Sequence, residues 1–301
     1  MASSRTPAPA NPAIRPETRD RPTTAALLEE GVARLAAPCA ALDHPRLDAE
    51  LLLAHVLGTS RARLKSHPEE ACEPHEREAY LALIARRAAG EPLAYLVGAK
   101  DFWSMRLAVS PAVLVPRPET ELLVERALAL RPEPTGEVAD LGTGSGAIAI
   151  ALARERPGWH VTATDISTDA LAVAQRNAAH LGVRNVEFLA GSWFAPLEER
   201  RFQLILSNPP YVAEDDPALA APPLAFEPRV ALTCGPDAMA CLKQIIGAAP
   251  SHLERGGWLL LEHGATQAAE VARELVVHGF THVRSHRDLA GHERMTEARR
   301  A

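Results

Sequence analysis

Leu28, Val32 and Leu35 recur at a helical step, and Pro38 closes that segment. Leu47, Leu51 and Ala54 repeat the step up to Gly58, and Ala79, Leu83 and Ile84 mark a further helix stopped by Gly90. Residues 23–95 therefore read as a small helical bundle. It contains no cluster of reactive side chains, so its expected role is recognition or support. At Trp103 the period drops to two. Trp103, Met105, Leu107 and Val109 alternate with polar or small residues, and residues 113–115 follow Pro111. That predicts a hairpin built from these two runs, spanning 96–118 between two domains. Residues 119–130 turn helical again.

Beyond residue 136, short apolar runs alternate with helical stretches. Strands are expected at 138–141, 161–164, 186–189, 202–206 and 258–261, and residues 280–299 read as two more. A helix starts near Ala147; Ser167 can cap the next one and Gly182 can end it. Such alternation implies an α/β fold with a mostly parallel, doubly wound sheet over 119–301.

Composition narrows the class. With 301 residues the chain has room for one or two domains and a substantial core. Its 47% hydrophobic and 23% charged residues are those of a globular protein, and no apolar run reaches the length of a membrane span. Net charge is -6 and the pI is about 6.1, so the overall field does not attract nucleic acid. Five of the 25 prolines fall within residues 1–22, which read as a disordered tail. That tail lacks the apolar core of a secretory signal, which makes the cytoplasm the expected compartment. Cys39, Cys72, Cys234 and Cys241 have neither metal spacing nor the look of a disulfide framework, and reduced, buried thiols are expected. No metal site is expected, because the histidines lack ligand spacing.

The first strand of the sheet runs into Asp140-Leu141-Gly142-Thr143-Gly144-Ser145-Gly146. Glycines allow a tight turn and close approach of a ligand, and the following helix offers free N–H groups. Asp165 ends the second strand, 165 − 146 = 19 residues after the last glycine. A carboxylate there can accept from both ribose hydroxyls of a nucleoside. At this point NAD(H) and S-adenosylmethionine both fit.

The fourth strand ends in Asn208-Pro209-Pro210-Tyr211, at the sheet edge where ligands of open parallel sheets bind. Methylating an amide nitrogen is awkward because its lone pair is delocalised. The Asn208 side-chain oxygen and the Pro209 carbonyl can accept from the two N–H groups and so aim the nitrogen. Proline pre-sets that backbone, and Tyr211 can pack on a flat substrate group. A dinucleotide enzyme has no use for this corner, so S-adenosylmethionine is the expected cofactor.

These residues resemble the HemK-type protein-(glutamine-N5) methyltransferases that modify peptide chain release factors. The likeness covers residues 25–300 and rests on 90–98, Val115-Pro116-Arg117-Pro118-Glu119-Thr120, 140–147, 207–212 and 226–232. The resemblance implies a helical N-terminal domain that helps grip the protein substrate and a seven-stranded class I methyltransferase domain. It implies that Gly142, Thr143, Gly144, Ser145 and Gly146 contact S-adenosylmethionine, that Asp165 holds its ribose and that Trp193 lies beside the adenine. It implies that Asn208, Pro209, Pro210 and Tyr211 hold the substrate glutamine, Asn208 also facing the methyl donor. Ser192 and Ala238 depart from the family pattern, which has Asp and Gly there. His263 and Glu262 are assigned a structural or supporting role.

The substrate implied is the Gly-Gly-Gln glutamine of class 1 release factors, with no membrane partner. A ribosomal-protein glutamine is the nearest alternative, and the form of residues 117–120 favours release factors. An amino group of nucleic acid would call for a basic, aromatic-rich module that this sequence lacks. A degenerate cofactor-binding module would have lost corner residues, and all four are present.

Overall fold

The computed structural model describes residues 21–36 and 42–301; the expected tail up to residue 20, and Cys39, lie outside them. Pro22, at the end of that expected tail, is tied in: its carbonyl accepts from Cys72 N at 2.9 Å. The chain divides into two compact units, the first ending at Ala88 and the second comprising Ala89–Ala301. No helix among the described residues is long and apolar enough to cross a membrane.

The first unit holds α1 (Thr24–Leu35), α2 (Pro45–Val56), α3 (Arg61–Ser66) and α4 (Pro74–Ala88). Thr23 caps α1, accepting from Ala26 N, and Pro45 opens α2 where its missing N–H costs nothing. The buried faces are turned partly away from the expected ones. In α2 Ala54 is buried as expected, together with Ala49, Leu52 and Leu53, while Leu47 and Leu51 are half-buried; in α4 Ile84 is buried as expected, joined by Tyr80, whereas Ala79 is exposed. Charge pairing explains the rotation of α2. Asp48 accepts from Arg87 at 2.7 Å and Glu50 from Arg61 at 2.5 Å, so both carboxylates can go inside. Helix α3, too short to show periodicity, has its signal only in the capping Ser60.

The second unit opens with α5 (Leu93–Val97), β1 (Ala99–Phe102) and β2 (Met105–Ala108). The expected hairpin needs correction: β2 pairs with the strand before it, through a two-residue turn at Trp103 and Ser104. Both turn residues have positive φ, 47° and 55°, a conformation usually signalled by Asn-Gly and here made by neither. Residues 113–115 form no strand. Flanked by Pro111 and Pro116, which cannot donate to a ladder, Val113 and Val115 pack with Tyr95, Val109 and Val173 instead.

After α6 (Glu121–Leu130) come β3 (Thr135–Leu141), α7 (Ala147–Glu155), β4 (Gly158–Asp165), α8 (Thr168–His180), β5 (Val186–Ala190) and β6 (Phe202–Ser207). Then follow α9 (Ala240–His252), β7 (Leu253–Glu262), α10 (Ala268–Val277), β8 (Phe280–Arg287) and β9 (Glu293–Arg300). Ser167 caps α8, and Gly182 ends it with φ 70°. The seven strands order as β5-β4-β3-β6-β7-β9-β8, parallel except for β9. Adjacent residues feed opposite cores. Leu204 and Leu206 pack with α6 and α7, while Ile205 packs with α9 and α10. Continuous apolar runs such as 259–261 are the mark of strands covered on both faces.

Asn177 on α8 fastens three segments. Its amide accepts from Ala108 N at 2.8 Å and donates to Ala108 O at 3.0 Å and Ser145 O at 2.9 Å. Replacing it by Ala strands buried backbone groups, so Asn177→Ala should lose about 3 kcal/mol of stability in urea unfolding. A loss under ~0.5 kcal/mol would remove Asn177 as the fastener.

Candidate active site

Strand order reverses between β3 and β6, and their parallel register sets Leu141 beside Ser207. Ser207 Oγ donates to the Leu141 carbonyl at 2.7 Å. The chain therefore leaves both strands side by side, into Gly142 on one and Asn208 on the other.

The glycine loop is held from below. Gly142 N and Thr143 N both donate to Thr164 O, at 2.8 and 3.0 Å. Asp140, fully buried, accepts through Oδ2 from Thr143 Oγ1 at 2.7 Å and Ala149 N at 3.2 Å. Burial drives its carboxyl up to about 7 against these bonds. The three glycines have φ of 72°, 56° and 83° for separate reasons. A Cβ on Gly142 would come within 3.1 Å of the Trp193 ring, and one on Gly146 within 2.8 Å of Ile150 Cδ1. At Gly144 a Cβ would meet nothing, so there the backbone faces open cavity.

Asp165 ends β4 and lines the same cavity. Its two oxygens accept from Gly144 N at 2.8 Å and Ser167 N at 2.9 Å. A carboxylate offers about four lone-pair positions, so about two remain for hydroxyl donors. Burial pushes its carboxyl above the usual range, opposed by those backbone bonds. Trp193 lines the cavity as well, at φ 49°, with Nε1 donating to Gln244 Oε1 at 3.1 Å and its carbonyl accepting from Thr164 Oγ1.

Asn208 and Pro210 line the cavity across from the loop. Asn208 Nδ2 donates to Thr120 Oγ1 at 3.1 Å, and that hydroxyl donates to Glu262 Oε2 at 2.7 Å. Pro209 is buried and does not line the cavity. The Tyr211 hydroxyl points to Glu262 Oε1 at 3.3 Å, and its carbonyl accepts from Gln267 Nε2 at 3.2 Å. Burial raises both Glu262, to about 7, and the Tyr211 phenol.

All the loop residues, Asp165, Trp193, Asn208 and Pro210 thus meet around one cavity, save that Gly146 sits beneath its wall. Four contributors had no site role assigned from sequence. Gln244 lies inside a helix with no signal; Ile166, 62% exposed, was signalled only by following Asp165. Thr120 and Gln267 come from segments far away in the chain. Arg117 also lines the cavity and pairs with the buried Glu227 at 2.5 Å, while Glu227 also accepts from Val115 N. His263 is buried: Gly264 O can only accept, so Nδ1 carries the proton and Nε2 accepts from Thr296 Oγ1. Burial holds it below its ordinary value, a neutral ring in the seam between β7 and β9.

The cysteine expectation is corrected in part. Cys234 and Cys241 form a disulfide, with Cα atoms 5.8 Å apart, on the cavity wall. The turn made by Gly235 (φ 109°) and the Asp237 cap on Met239 N folds the loop back on α9, which spacing does not disclose. Cys72 is free and buried. Among the described residues no group of three or more His, Cys, Asp or Glu side chains could hold a metal ion.

These environments predict unequal costs at two of the glycines. Gly144→Ala should cost about 1 kcal/mol for its left-handed backbone, whereas Gly146→Ala adds a clash with Ile150 and should cost roughly 3 kcal/mol. Equal losses on denaturation would refute the distinction. Glu262 holds a proton in the folded protein between about 4.5 and about 7 that the unfolded chain has released. Its contribution to stability therefore falls as pH rises through that window and stays lost above it. Relative to the native chain, Glu262→Gln should gain on the order of 3 kcal/mol between pH 4.5 and 8, read from paired melting curves. A difference that stays constant with pH would contradict the burial of this carboxylate.

Known proteins match this arrangement. A family model described as the PrmC N-terminal domain matches residues 26–98, and one described as the methyltransferase small domain matches 118–222. A release factor glutamine methyltransferase of Bordetella pertussis is 51% identical over 255 residues, covering 84% of this chain and 94% of that one. The Escherichia coli protein of the same description is 43% identical over 272 residues, covering 90% and 97%. Among solved structures, a methyltransferase from Pyrococcus furiosus superposes with a TM-score of 0.51 at 18% identity, covering 73% of this chain and 96% of that one. A T. thermophilus 16S rRNA methyltransferase, solved with AdoMet and guanosine, reaches 0.50 at 20% identity, covering 67% and 50%. These structures share the class I methyltransferase fold. Identity at this level over nearly the full length of both chains settles kinship, and the chain belongs to the release factor glutamine methyltransferase family.

Proposed function

We propose that this protein transfers the methyl group of S-adenosylmethionine to the side-chain amide nitrogen of the glutamine in the Gly-Gly-Gln motif of class 1 release factors. The observation that carries this reading is the meeting of Asn208 with the glycine loop and Asp165 around one cavity. Such a substrate places the enzyme in the cytoplasm.

The cavity suits the methyl donor. Gly144 leaves open space beside a backbone that a ligand can approach, and Asp165 keeps lone pairs for ribose hydroxyls. Ile166 and Trp193 offer apolar surface to the adenine, with Ser192 at the same wall. When bound, S-adenosylmethionine supplies a methyl group activated by its positively charged sulfur.

The residues of this chain then have to orient the nucleophile. Asn208 Oδ1 accepts one amide N–H of the glutamine, and the Pro209 carbonyl, off the cavity wall in the substrate-free chain, accepts the other once the substrate is seated, which turns the nitrogen lone pair toward the cofactor side. Pro210 closes the corner against the cavity. Tyr211, whose hydroxyl is engaged by Glu262, sets the corner from behind rather than through that hydroxyl. No strong base is needed, since the methylated nitrogen is acidic enough to give its extra proton to water. Orientation of this kind is worth several kcal/mol, on the order of 7 in favourable cases. Residues 23–95 serve recognition of the protein substrate.

Methyl-labelled S-adenosylmethionine should mark a class 1 release factor, and the label should vanish when the Gly-Gly-Gln glutamine is replaced. Label found only on a ribosomal protein or on nucleic acid would overturn the proposal. Asn208→Ala should lower turnover by about 100-fold while cofactor affinity changes by less than about threefold. Undiminished turnover would remove Asn208 from the orienting role.

A further inference from the structure

Asn208 can serve as an acceptor toward a substrate amide only if its oxygen, not its NH2 group, faces the cavity. The two ends of an asparagine amide are nearly the same shape, so packing alone does not choose between them. Hydrogen-bond polarity does. The geometry points to Thr120 and Glu262 as positioning residues that lock the Asn208 amide with its oxygen toward the substrate. This inference rests on the function proposed above and concerns how its key side chain is held.

An ionised carboxylate accepts and cannot donate. Glu262 Oε2 lies 2.7 Å from Thr120 Oγ1, so the single hydroxyl proton of Thr120 is committed to Glu262. Toward Asn208, 3.1 Å away on its other side, Thr120 is left with lone pairs alone. Only Nδ2 can satisfy it, and Oδ1 is thereby released for another donor. The two members that hold Asn208 are buried: Thr120 is 4% and Glu262 2% exposed. A reversed amide would set its oxygen against the lone pairs of Thr120, a repulsion with no donor between them.

The surroundings divide over this polarity, which belongs to the carboxylate ionised above about pH 7. Tyr211 donates to the other oxygen of Glu262, and the positive charge of Arg294 on β9 supports the ionised form. Glu119, beside Thr120, opposes it, as does burial itself. A protonated Glu262 would be able to donate to Thr120, freeing the threonine proton for Asn208 Oδ1 and permitting the reversed amide. The polarity of the chain Glu262–Thr120–Asn208 therefore follows the charge of a carboxylate that the cavity does not include among its lining residues.

Thr120→Val keeps the shape and removes the hydroxyl, whereas Thr120→Ser keeps the hydroxyl and removes a methyl. Steady-state methylation of release factor should show kcat down roughly 10- to 100-fold in Thr120→Val, with the Kd for S-adenosylmethionine unchanged within about twofold. Thr120→Ser should restore kcat to within about threefold of the native enzyme. Glu262→Leu, which leaves Thr120 free to donate either way, should lower kcat as Thr120→Val does. In parallel, side-chain amide NMR of 15N-labelled protein should show a protected, hydrogen-bonded Asn208 NH2 in the native and Thr120→Ser proteins and its loss in Thr120→Val.

Native kcat in Thr120→Val, or equal impairment in Thr120→Ser, would overturn the inference by reducing Thr120 to a packing residue. A native enzyme that leaves release factor unmethylated would instead overturn the proposed function. The amide signal then decides the lock by itself: protection unchanged in Thr120→Val refutes it, and protection lost there but kept in Thr120→Ser sustains it.

Discussion

The parallel register between β3 and β6 is the constraint on which everything else depends. Setting Leu141 beside Ser207, and tying the two through the serine hydroxyl, makes the glycine loop and the Asn208 corner leave the sheet as neighbours. The register is enforced by burial on both faces: slipping one strand by a residue would exchange Leu204 and Leu206 with Ile205 between two cores of different shape. A nucleoside site and an amide site, each built by local sequence, are thereby brought into a single cavity. The same switch in strand order opens the crevice, because the connections from β3 and β6 depart to opposite faces.

Around that centre the protein maintains two buried carboxylates, and both support rather than touch. Asp140 holds the glycine loop through Thr143 and the start of α7, and Glu262 holds Thr120 and Tyr211. Desolvation raises both to about 7, a sign that their hydrogen bonds offset only part of the cost of burial.

Much of the architecture was legible beforehand because it depends on local periodicity. Short runs of four or five residues alternating with helical segments point to a covered, mostly parallel sheet, and the cap at Ser167 and the stop at Gly182 needed only neighbours. The misreadings share another cause. The β1–β2 turn uses Trp103 and Ser104 in a conformation their side chains do not advertise, and α2 is rotated because Arg87 and Arg61, distant in sequence, let Asp48 and Glu50 inside. The Cys234–Cys241 bond depends on how a loop folds back, which spacing leaves open.

The cavity divides along the same line. Glycines at 142, 144 and 146, Asp165 at a strand end and the Asn208 corner are each a short-range pattern whose chemistry follows from residue type. So the amino-acid order by itself determined the fold class, the nucleoside loop and the family resemblance. Which way Asn208 faces could not follow from that order. It depends on Thr120, 88 residues before Asn208, and on Glu262, 142 residues beyond Thr120. Hydrogen-bond polarity is a property of atoms in contact, and only the folded sheet puts those three side chains in contact.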